Sequence, residues 1–378
     1  MSSDEEHLIE DDTSSEEEYS INDDRSSDDE GFDDIIISIT QWTYNAMRIC
    51  VRDWKDTRND RKLTDKGLVC KGDVIIEEQV AMFLQIVGHA HTMRIIGEDF
   101  QHSIETVWRC FRNVLRCVLR MKSDYMKMPN TNTHVHHKVS EGTPFAPFKD
   151  ALGAIDGTHI PAYPDSKDKL SERFRNRKGV PSQNVMAAVD FDGFFVSVVT
   201  GWEGSAHDNL ILRTAVEDGF TVPQGKYFLV DGGYANINQF LAPYRVTTYH
   251  LASFRARRRG TNQVYGSPEE LFNYKHAQLR NIVEKTFGIL KSRFKICVNM
   301  RRYKFRIQKK VVRTCCILHN FIKHQNRLQN LSDDDLLYQG MQNNMENENE
   351  EDIGVGGTMF SNGDALRESI KNILWNNR

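Results

Sequence analysis

The sequence predicts an α/β fold in which one mixed sheet with flanking helices follows a small all-α, helix-turn-helix-like domain. Between residues 149 and 324, apolar runs of strand length alternate with helical patterns. Residues 35–121 show helical periodicity, and the polar, proline-containing residues 122–148 are interpreted as a linker. The two ends of the 378-residue chain are polar and acidic. We therefore expect a disordered arm at 1–34 and a mostly flexible tail at 325–378.

Charge is strongly segregated along the chain. Residues 1–34 hold sixteen acidic residues against Arg25 alone, a net charge of −15, and residues 325–378 carry −6. Because the whole chain is −4, the middle, residues 35–324, carries +17. A basic middle between acidic ends indicates a polyanionic partner, most often nucleic acid.

Several classes of protein are excluded by composition. No apolar run approaches the roughly 20 residues of a membrane-spanning helix, and the acidic start is unlike a secretory or mitochondrial leader. The cysteines are odd in number and form no C-x-x-C pair, so we expect reduced, mostly buried thiols and no zinc finger. They are Cys50, Cys70, Cys110, Cys117, Cys297, Cys315 and Cys316.

The first patterned region predicts two helices. Val80, Phe83, Leu84 and Val87 follow the spacing of one helix face. A second helix starts near Ser103, which is a suitable N-cap. The connection between them contains a glycine, so the outline is that of a helix-turn-helix.

A basic stripe runs along the second of these helices. Its arginines are three or four residues apart and share one face: Arg109, Arg112, Arg116 and Arg120. One interpretation is a DNA-binding face, and the other is a helical bundle with a solvated arginine face. The pattern alone leaves both open.

The second region predicts strands and helices in a fixed order. Leu152–Gly157 reads as a strand, and two apolar runs joined by Asp190–Gly193 read as a hairpin. The remaining predicted elements are a helix at 209–217, a strand at 227–230, a long helix at 268–294, a closing helix at 309–322 and a short terminal helix at 365–375.

Two aspartates stand at predicted strand ends, each followed by glycine. Asp156 and Asp231 would leave the sheet in fixed directions, and glycine leaves room for a ligand. If the two strands are neighbours, the carboxylates lie a few Å apart, which is unfavourable unless one is protonated or a divalent cation lies between them. The alternative is that Asp-Gly simply ends each strand in a turn, as at Asp192-Gly193.

Two further carboxylates are candidates for the same site. Glu284 lies near the buried face of the long helix, in line with Arg280 and Lys291, and could instead be a half-buried glutamate paired with either. Asp208 precedes a helix and could be its N-cap, or it could reach a metal ion or water.

Five blocks taken together resemble the PIF/Harbinger transposases and their domesticated, nuclease-like descendants, with the plant members most similar. The blocks occur in order between about residues 80 and 322, and they are Gly153–Ile160, Gly201–Asp208, Val230–Asn236 with Phe240–Arg245, Arg280–Lys291 and Leu318–Phe321. Lys285, where arginine is usual, and Gln239, where glycine is common, depart from the pattern without removing a carboxylate.

This resemblance implies an RNase H-like domain with a DDE triad. Asp156, Asp231 and Glu284 match the catalytic and metal-binding carboxylates, and Asp208 matches an additional metal-site residue. The family cuts DNA with Mg²⁺ or Mn²⁺ and commonly acts with a separate Myb-like protein. We therefore expect a DNA endonuclease or transposase located in the nucleus, or also in the cytoplasm, and able to form homo-oligomers.

A second set of basic residues follows the triad in sequence and could neutralise phosphates. It includes Arg257 and Arg258, which could equally belong to a nuclear-import signal, and Lys291, Arg301 and Arg302. The histidines at 134, 136 and 137 are interpreted as incidental. The rival function is a catalytically silent chromatin- or transcription-associated protein that keeps the fold. An RNA-directed nuclease is a third class that the triad alone leaves open.

Overall fold

A computed structural model describes residues 65–68, 74–164, 170–245, 265–328 and 363–377. Several sequence predictions lie outside these residues: the acidic arm at 1–34, the start of the helical domain up to residue 64, most of the acidic tail, Cys50, Cys70, Arg257 and Arg258.

A five-stranded mixed sheet forms the centre of the α/β domain. Its strands are β1 Ala151–Pro161, β2 Ser182–Asp190, β3 Phe195–Glu203, β4 Tyr227–Leu229 and β5 Phe240–Leu241. They lie in the order β3-β2-β1-β4-β5. The first three are antiparallel, whereas β4 runs parallel to β1 and β5 parallel to β4. This topology confirms the predicted RNase H-like sheet; β5 was not predicted because its two residues are too few for a period to show.

Helices cover both faces of the sheet. The α/β domain contains α5 Leu170–Arg173, α6 Asp208–Glu217, α7 Pro268–Arg293, α8 Phe305–Leu328 and α9 Gly363–Asn376. α7 packs on β1 and β2, and α8 packs on β3. α6 packs with a separate apolar cluster on the other face. Burial from both sides explains why eight of the nine residues of β2 are buried.

The long helix α7 begins where capping chemistry predicts. The Ser267 hydroxyl accepts a hydrogen bond from the amide of Glu270, and Pro268 occupies the first turn. Its buried face includes Phe272, Leu279 and Leu290. The predicted helix at 268–294 is therefore confirmed within one residue.

The predicted terminal helix is confirmed as α9, which packs on α7 and β5. The Lys371 ammonium contacts Glu269 at 2.8 Å, and the Asn236 amide donates to Asp364 at 2.9 Å. Ile370 and Leu374 join the main core, so this part of the tail is a packed element.

The N-terminal helices are α1 Ile76–His89, α2 Met93–Phe100 and α3 Ile104–Arg120, followed by the short α4 Lys122–Tyr125. The expected single connection between two helices is wrong, because α2 fills it and the tight turn lies at 101–103, between α2 and α3. Gln101 adopts a left-handed conformation with φ 56° and ends α2. Ser103 caps α3 by accepting from the amide of Thr106, as predicted.

The stretch 122–148, which the sequence predicts to be a linker, contributes apolar side chains to the protein core. Val139 and Phe148 are fully buried, and both belong to the main core. A few large apolar side chains are enough to pack this polar stretch against the core. Their spacing follows neither a helical nor a strand period, so the sequence pattern does not reveal them. α1 and α3 contribute to this same core, and the division of the chain into domains remains a prediction.

The cysteines that the structure describes are all buried free thiols, as expected for those five. Burial raises the pKa of the Cys316 thiol. In the described part of the chain, no helix is both long enough and apolar enough to cross a membrane.

Candidate functional site

The sheet register brings Asp156 and Asp231 side by side. The last parallel pair joins Ala154 of β1 to Leu229 of β4, and each aspartate lies two residues beyond its member of that pair. Neighbouring strands are about 4.8 Å apart. Asp156 is not at a strand end as predicted, because β1 continues to Pro161 by pairing with β2. The strand that ends at this level is β4, so among the described residues β1 has no parallel neighbour on that side at Asp156.

One guanidinium joins the three predicted catalytic carboxylates. Nη1 of Arg280 lies 2.6 Å from Oδ2 of Asp156. Nη2 of the same side chain lies 2.7 Å from Oε1 of Glu284 and 3.5 Å from Oδ1 of Asp231. Residues separated by up to 128 positions thus converge on one point between β1, the end of β4 and α7. The structure contains the Arg280–Glu284 ion pair that was the alternative interpretation of Glu284. This pair is part of the larger cluster with Asp156 and Asp231.

Exposure differs across the cluster. The side chains of Arg280 and Asp156 are 13% and 18% exposed, whereas Glu284 is 45% exposed. Asp156 and Arg280 therefore form the floor of the site, and Glu284 lies at its rim. A ligand from solvent would reach Glu284 and Asp231 before Asp156.

The electrostatics of the floor are those of crowded carboxylates. The pKa of Asp156 is raised to about 8, chiefly by burial; Arg280 opposes that shift, and repulsion from the neighbouring carboxylates adds to it. Burial alone would lower the pKa of Arg280, but the surrounding carboxylates raise it. The site is therefore one in which added positive charge is favourable.

The donor set fits a hard divalent cation. Carboxylate oxygens are the ligands preferred by Mg²⁺ and Mn²⁺, and three of them meet here. In the described part of the chain they do not form a set whose ligand atoms all lie within 4.8 Å of one another, because the Arg280 guanidinium lies between them. The same space can be shared by Arg280 and a cation only if the guanidinium moves.

Asp208 lies beside this cluster but on another face of β1. A Cβ placed on Gly157 would come 2.6 Å from Oδ1 of Asp208, and side chains alternate between faces along a strand, so Asp156 points away from Asp208. The Asn184 amide donates to Oδ1 of Asp208 at 2.6 Å. Asp208 is not the N-cap of α6, which is His207. Its negative charge adds to the repulsion felt by Asp156, and its role as a metal ligand remains a prediction.

The arginine stripe on α3 is largely solvent-facing. Arg109, Arg116 and Arg120 are exposed, while Arg112 lies over the ring of Trp108 with 5.9 Å between the guanidinium carbon and the ring centroid. Burial lowers the pKa of Arg112, and repulsion from Arg116 and from Arg306 of α8 adds to the shift. The stripe therefore continues onto α8 as one basic surface.

The basic residues that sequence analysis grouped with the triad differ in their contacts and exposure. Arg301 donates to the carbonyl of Ala90 just beyond α1, at 2.6 Å from Nε, so its guanidinium is committed to the fold. Arg302 is exposed and lies over the ring of Tyr163. Lys291 is half-buried on α7. Roles of Lys291, Arg301 and Arg302 in DNA binding remain predictions.

Two of the histidines that were interpreted as incidental, His136 and His137, lie close to the carboxylate of Asp192. His136, His137 and Asp192 form the one set within the described residues whose potential ligand atoms all lie within 4.8 Å. However, Nδ1 of His136 accepts the amide of Lys138 at 3.1 Å, so the ring proton is on Nε2, which faces Asp192 at 3.0 Å. Both ring nitrogens thus face protein groups, which favours a structural contact between His136 and Asp192 over a metal centre.

Sequence reasoning missed two partners of the site, Asn184 and Tyr234. Asn184 lies in β2 directly before its apolar run. Tyr234 is fully buried close to the carboxylates, which raise its pKa after the larger effect of burial. No local pattern marks either residue, because their proximity to the carboxylates arises from the packing of the sheet.

Comparison with known proteins identifies the same region. Residues 155–320 match the family model described as DDE superfamily endonuclease, and residues 33–120 match a domain of unknown function, DUF8040. The first match contains Asp156, Asp231 and Glu284.

Curated relatives show the same similarity at low identity. The human protein named "Putative nuclease HARBI1" is 24% identical over 250 residues, covering 65% of this chain and 66% of its own length. Its Bos taurus counterpart is 25% identical over 231 residues, covering 60% and 61%. An Arabidopsis thaliana "Protein ALP1-like" is 22% identical over 264 residues, covering 65% and 60%.

The chain thus spans slightly less than two thirds of the length of these relatives. No solved structure is significantly similar to it. The ordered blocks, the sheet topology and the family match agree, and they confirm the resemblance on which the predicted triad depended. Residues 155–320 of the chain are thus similar in sequence to the DDE superfamily endonuclease family.

Proposed function

We propose that this protein is a divalent-metal-dependent DNA endonuclease of Harbinger transposase type. The observation that carries the proposal is the convergence of Asp156, Asp231 and Glu284 on the single guanidinium of Arg280, within the matched endonuclease domain. Carboxylates that converge from β1, the end of β4 and α7 can hold the cations that metal-dependent phosphodiester cleavage uses.

Asp156, Asp231 and Glu284 would hold Mg²⁺ or Mn²⁺, with Asp208 as a further candidate. When bound, a pair of such cations supplies the chemistry of two-metal cleavage, in which the pKa of an attacking water or 3′-hydroxyl is lowered and charge on the leaving oxygen is stabilised. No histidine base or covalent nucleophile in the chain is needed.

The chain's own residues position the reaction. Asp156 is fixed by strand pairing on one side and by Arg280 on the other, so its carboxylate has a defined direction. Glu284 at the rim contacts Arg280 and is also the most exposed of the three carboxylates, so it would face the substrate side. The exposed arginines of α3 and Arg302 would hold the DNA backbone, because such contacts orient a duplex without reading its sequence.

The cellular setting is proposed from the same resemblance. We place the protein in the nucleus, working with a Myb-like DNA-binding partner and capable of forming homo-oligomers. The acidic N-terminal arm, with net charge −15, suits contacts with basic proteins rather than with DNA.

The test is cleavage of duplex DNA by the purified full chain with Mg²⁺ or Mn²⁺, compared with EDTA. Asp156→Asn and Asp231→Asn should abolish cutting and keep the circular dichroism of the wild type, while Asp218→Asn, an exposed carboxylate at the end of α6, should cut normally. Equal cutting by wild type and Asp156→Asn would overturn the proposal, as would no cutting with a Myb-like partner present.

Two further outcomes separate the rival functions. DNA binding without cleavage under all metal conditions would favour the catalytically silent binding protein. Preferred cleavage of an RNA–DNA hybrid over duplex DNA would favour an RNA-directed nuclease.

A further inference from the structure

A basic cavity of about 450 Å³ lies apart from the carboxylates. Its walls come from α7, α8, the turn between β2 and β3, and the short helical turn His137–Val139. We refer to it as the hairpin cavity. Its cationic side chains are Lys138, Lys285, Lys323 and Arg327.

The hairpin cavity and the carboxylates are on opposite flanks of α7. An α-helix turns about 100° per residue, so Ile282 and Ile289, which line the cavity, lie about half a turn around the helix from Arg280. A helix with its side chains is about 10 Å across. The two sites are therefore separate.

Charge in the hairpin cavity is strongly one-sided. Asp192 is the one carboxylate lining it among the described residues, and that carboxylate already contacts Arg327 at 2.6 Å and His136 at 3.0 Å. Lys138 and Lys285 both line the cavity wall. Burial lowers the pKa of Lys138 and repulsion from Lys285 adds to that shift, while Asp192 opposes it. Two neighbouring ammonium groups that repel each other are both stabilised by an anion between them.

The shape of the cavity depends on the tight β2–β3 turn. Gly193 has φ +83°, and a Cβ there would come 3.2 Å from Oγ1 of Thr286 and 3.5 Å from Cε of Lys323. Oδ1 of Asp190 accepts the amides of Asp192 and Phe194, which fixes the turn. The opening is thus held by backbone geometry, so a ligand meets a preformed site.

We propose that the hairpin cavity binds a phosphate group, supplied by the DNA backbone at a point remote from the scissile bond. Lysine ammonium groups act as compact point charges for phosphate, and apolar walls such as Phe191 and Ile282 lower the local dielectric and strengthen that attraction. The DNA source rests on the proposed function, whereas phosphate binding by the cavity stands independently of it.

The experiment uses the full chain in EDTA, so that cleavage plays no part. Inorganic phosphate is titrated while the melting temperature is followed, and binding of a duplex oligonucleotide is measured by fluorescence anisotropy at several salt concentrations. The variants are Lys285→Gln and Lys323→Gln, singly, with Arg213→Gln as the control because Arg213 is exposed on α6 at the other face of the sheet. Circular dichroism confirms that each variant is folded, and the two lysines serve as independent tests if one variant is unstable.

We expect phosphate to raise the melting temperature of the wild type and of Arg213→Gln, and to have little effect on the two lysine variants. Each lysine variant should also lower the salt slope of DNA binding by about one. Loss of the phosphate effect with an unchanged slope would support the cavity and overturn DNA as the source in favour of a free phosphate. Equal phosphate effects in all four proteins, or none in the wild type, would overturn the proposal whether or not the protein cuts DNA.

Discussion

Arg280→Gln tests the electrostatic arrangement at the centre of the site. The wild-type guanidinium is 13% exposed and contacts Asp156 at 2.6 Å, Glu284 at 2.7 Å and Asp231 at 3.5 Å. Glutamine keeps much of the length and polarity but removes the positive charge. The substitution therefore leaves three carboxylates facing one another around a neutral side chain.

The expected cost follows from burial. Removing one partner of a buried ion pair typically destabilises a protein by about 3–5 kcal/mol, because the remaining charge is left without compensation. Asp156 can reduce this cost by taking up a proton, since its pKa is already raised by burial and Arg280 is what opposes that shift. We therefore expect a loss of about 3 kcal/mol in the free energy of unfolding without a divalent cation.

A divalent cation should reverse much of this loss. A ligand that binds only the folded state at 100 times its dissociation constant stabilises it by about 2.7 kcal/mol. In the wild type the cation must compete with Arg280 for the same oxygens, so its stabilising effect should be smaller than in Arg280→Gln.

The assay is urea unfolding of wild type, Arg280→Gln and Arg213→Gln, each in EDTA and in Mg²⁺ or Mn²⁺. Arg213 forms an exposed pair with Glu217, and pairs of this kind contribute at most about 1 kcal/mol. The reasoning is refuted if Arg280→Gln is as stable in EDTA as Arg213→Gln, or if the cation stabilises it no more than it stabilises the wild type.

Three further predictions concern the frame around the site. His276 is buried, and its pKa is lowered to about 4, chiefly by burial. Between about pH 6.5 and 4, only the unfolded state therefore gains the proton. Acidification from about pH 7 to 5 should lower the free energy of unfolding of the wild type by about 2 kcal/mol more than that of His276→Gln, as measured by urea titration. Gly153→Ala should lower the free energy of unfolding by about 3 kcal/mol in thermal unfolding, because its Cβ would lie 1.9 Å from a β2 carbonyl oxygen. Gly233→Ala should change it little, because a Cβ there would have no neighbour within 4 Å among the described residues. Arg301→Met should lower the free energy of unfolding by about 1–3 kcal/mol, because it leaves the Ala90 carbonyl unpaired. If the salt dependence of DNA binding is unchanged in this variant, Arg301 does not contact DNA.

Secondary structure in the α/β domain was largely predictable. The hairpin turn at Asp190–Gly193, the N-cap at Ser103 and the long helix beginning at Pro268 each depend on residues within a few positions of one another. Local steric and hydrogen-bonding preferences are strong enough there to show in the sequence. The helix α2 and the packing of the stretch 122–148 into the core were not predicted, because tertiary packing stabilises these segments and their local patterns are weak.

Acidic residue type and the ordered family blocks were sufficient to select Asp156, Asp231 and Glu284 as candidates. Their convergence was decided by tertiary structure, because it depends on the register of β4 against β1. A shift of one residue would turn the Asp231 side chain to the opposite face of the sheet. The rotation of α7 about its own axis then places Arg280 among the carboxylates and Lys285 on the far flank. Neither quantity is encoded in any short segment, since each is set by how whole elements bury their apolar faces together.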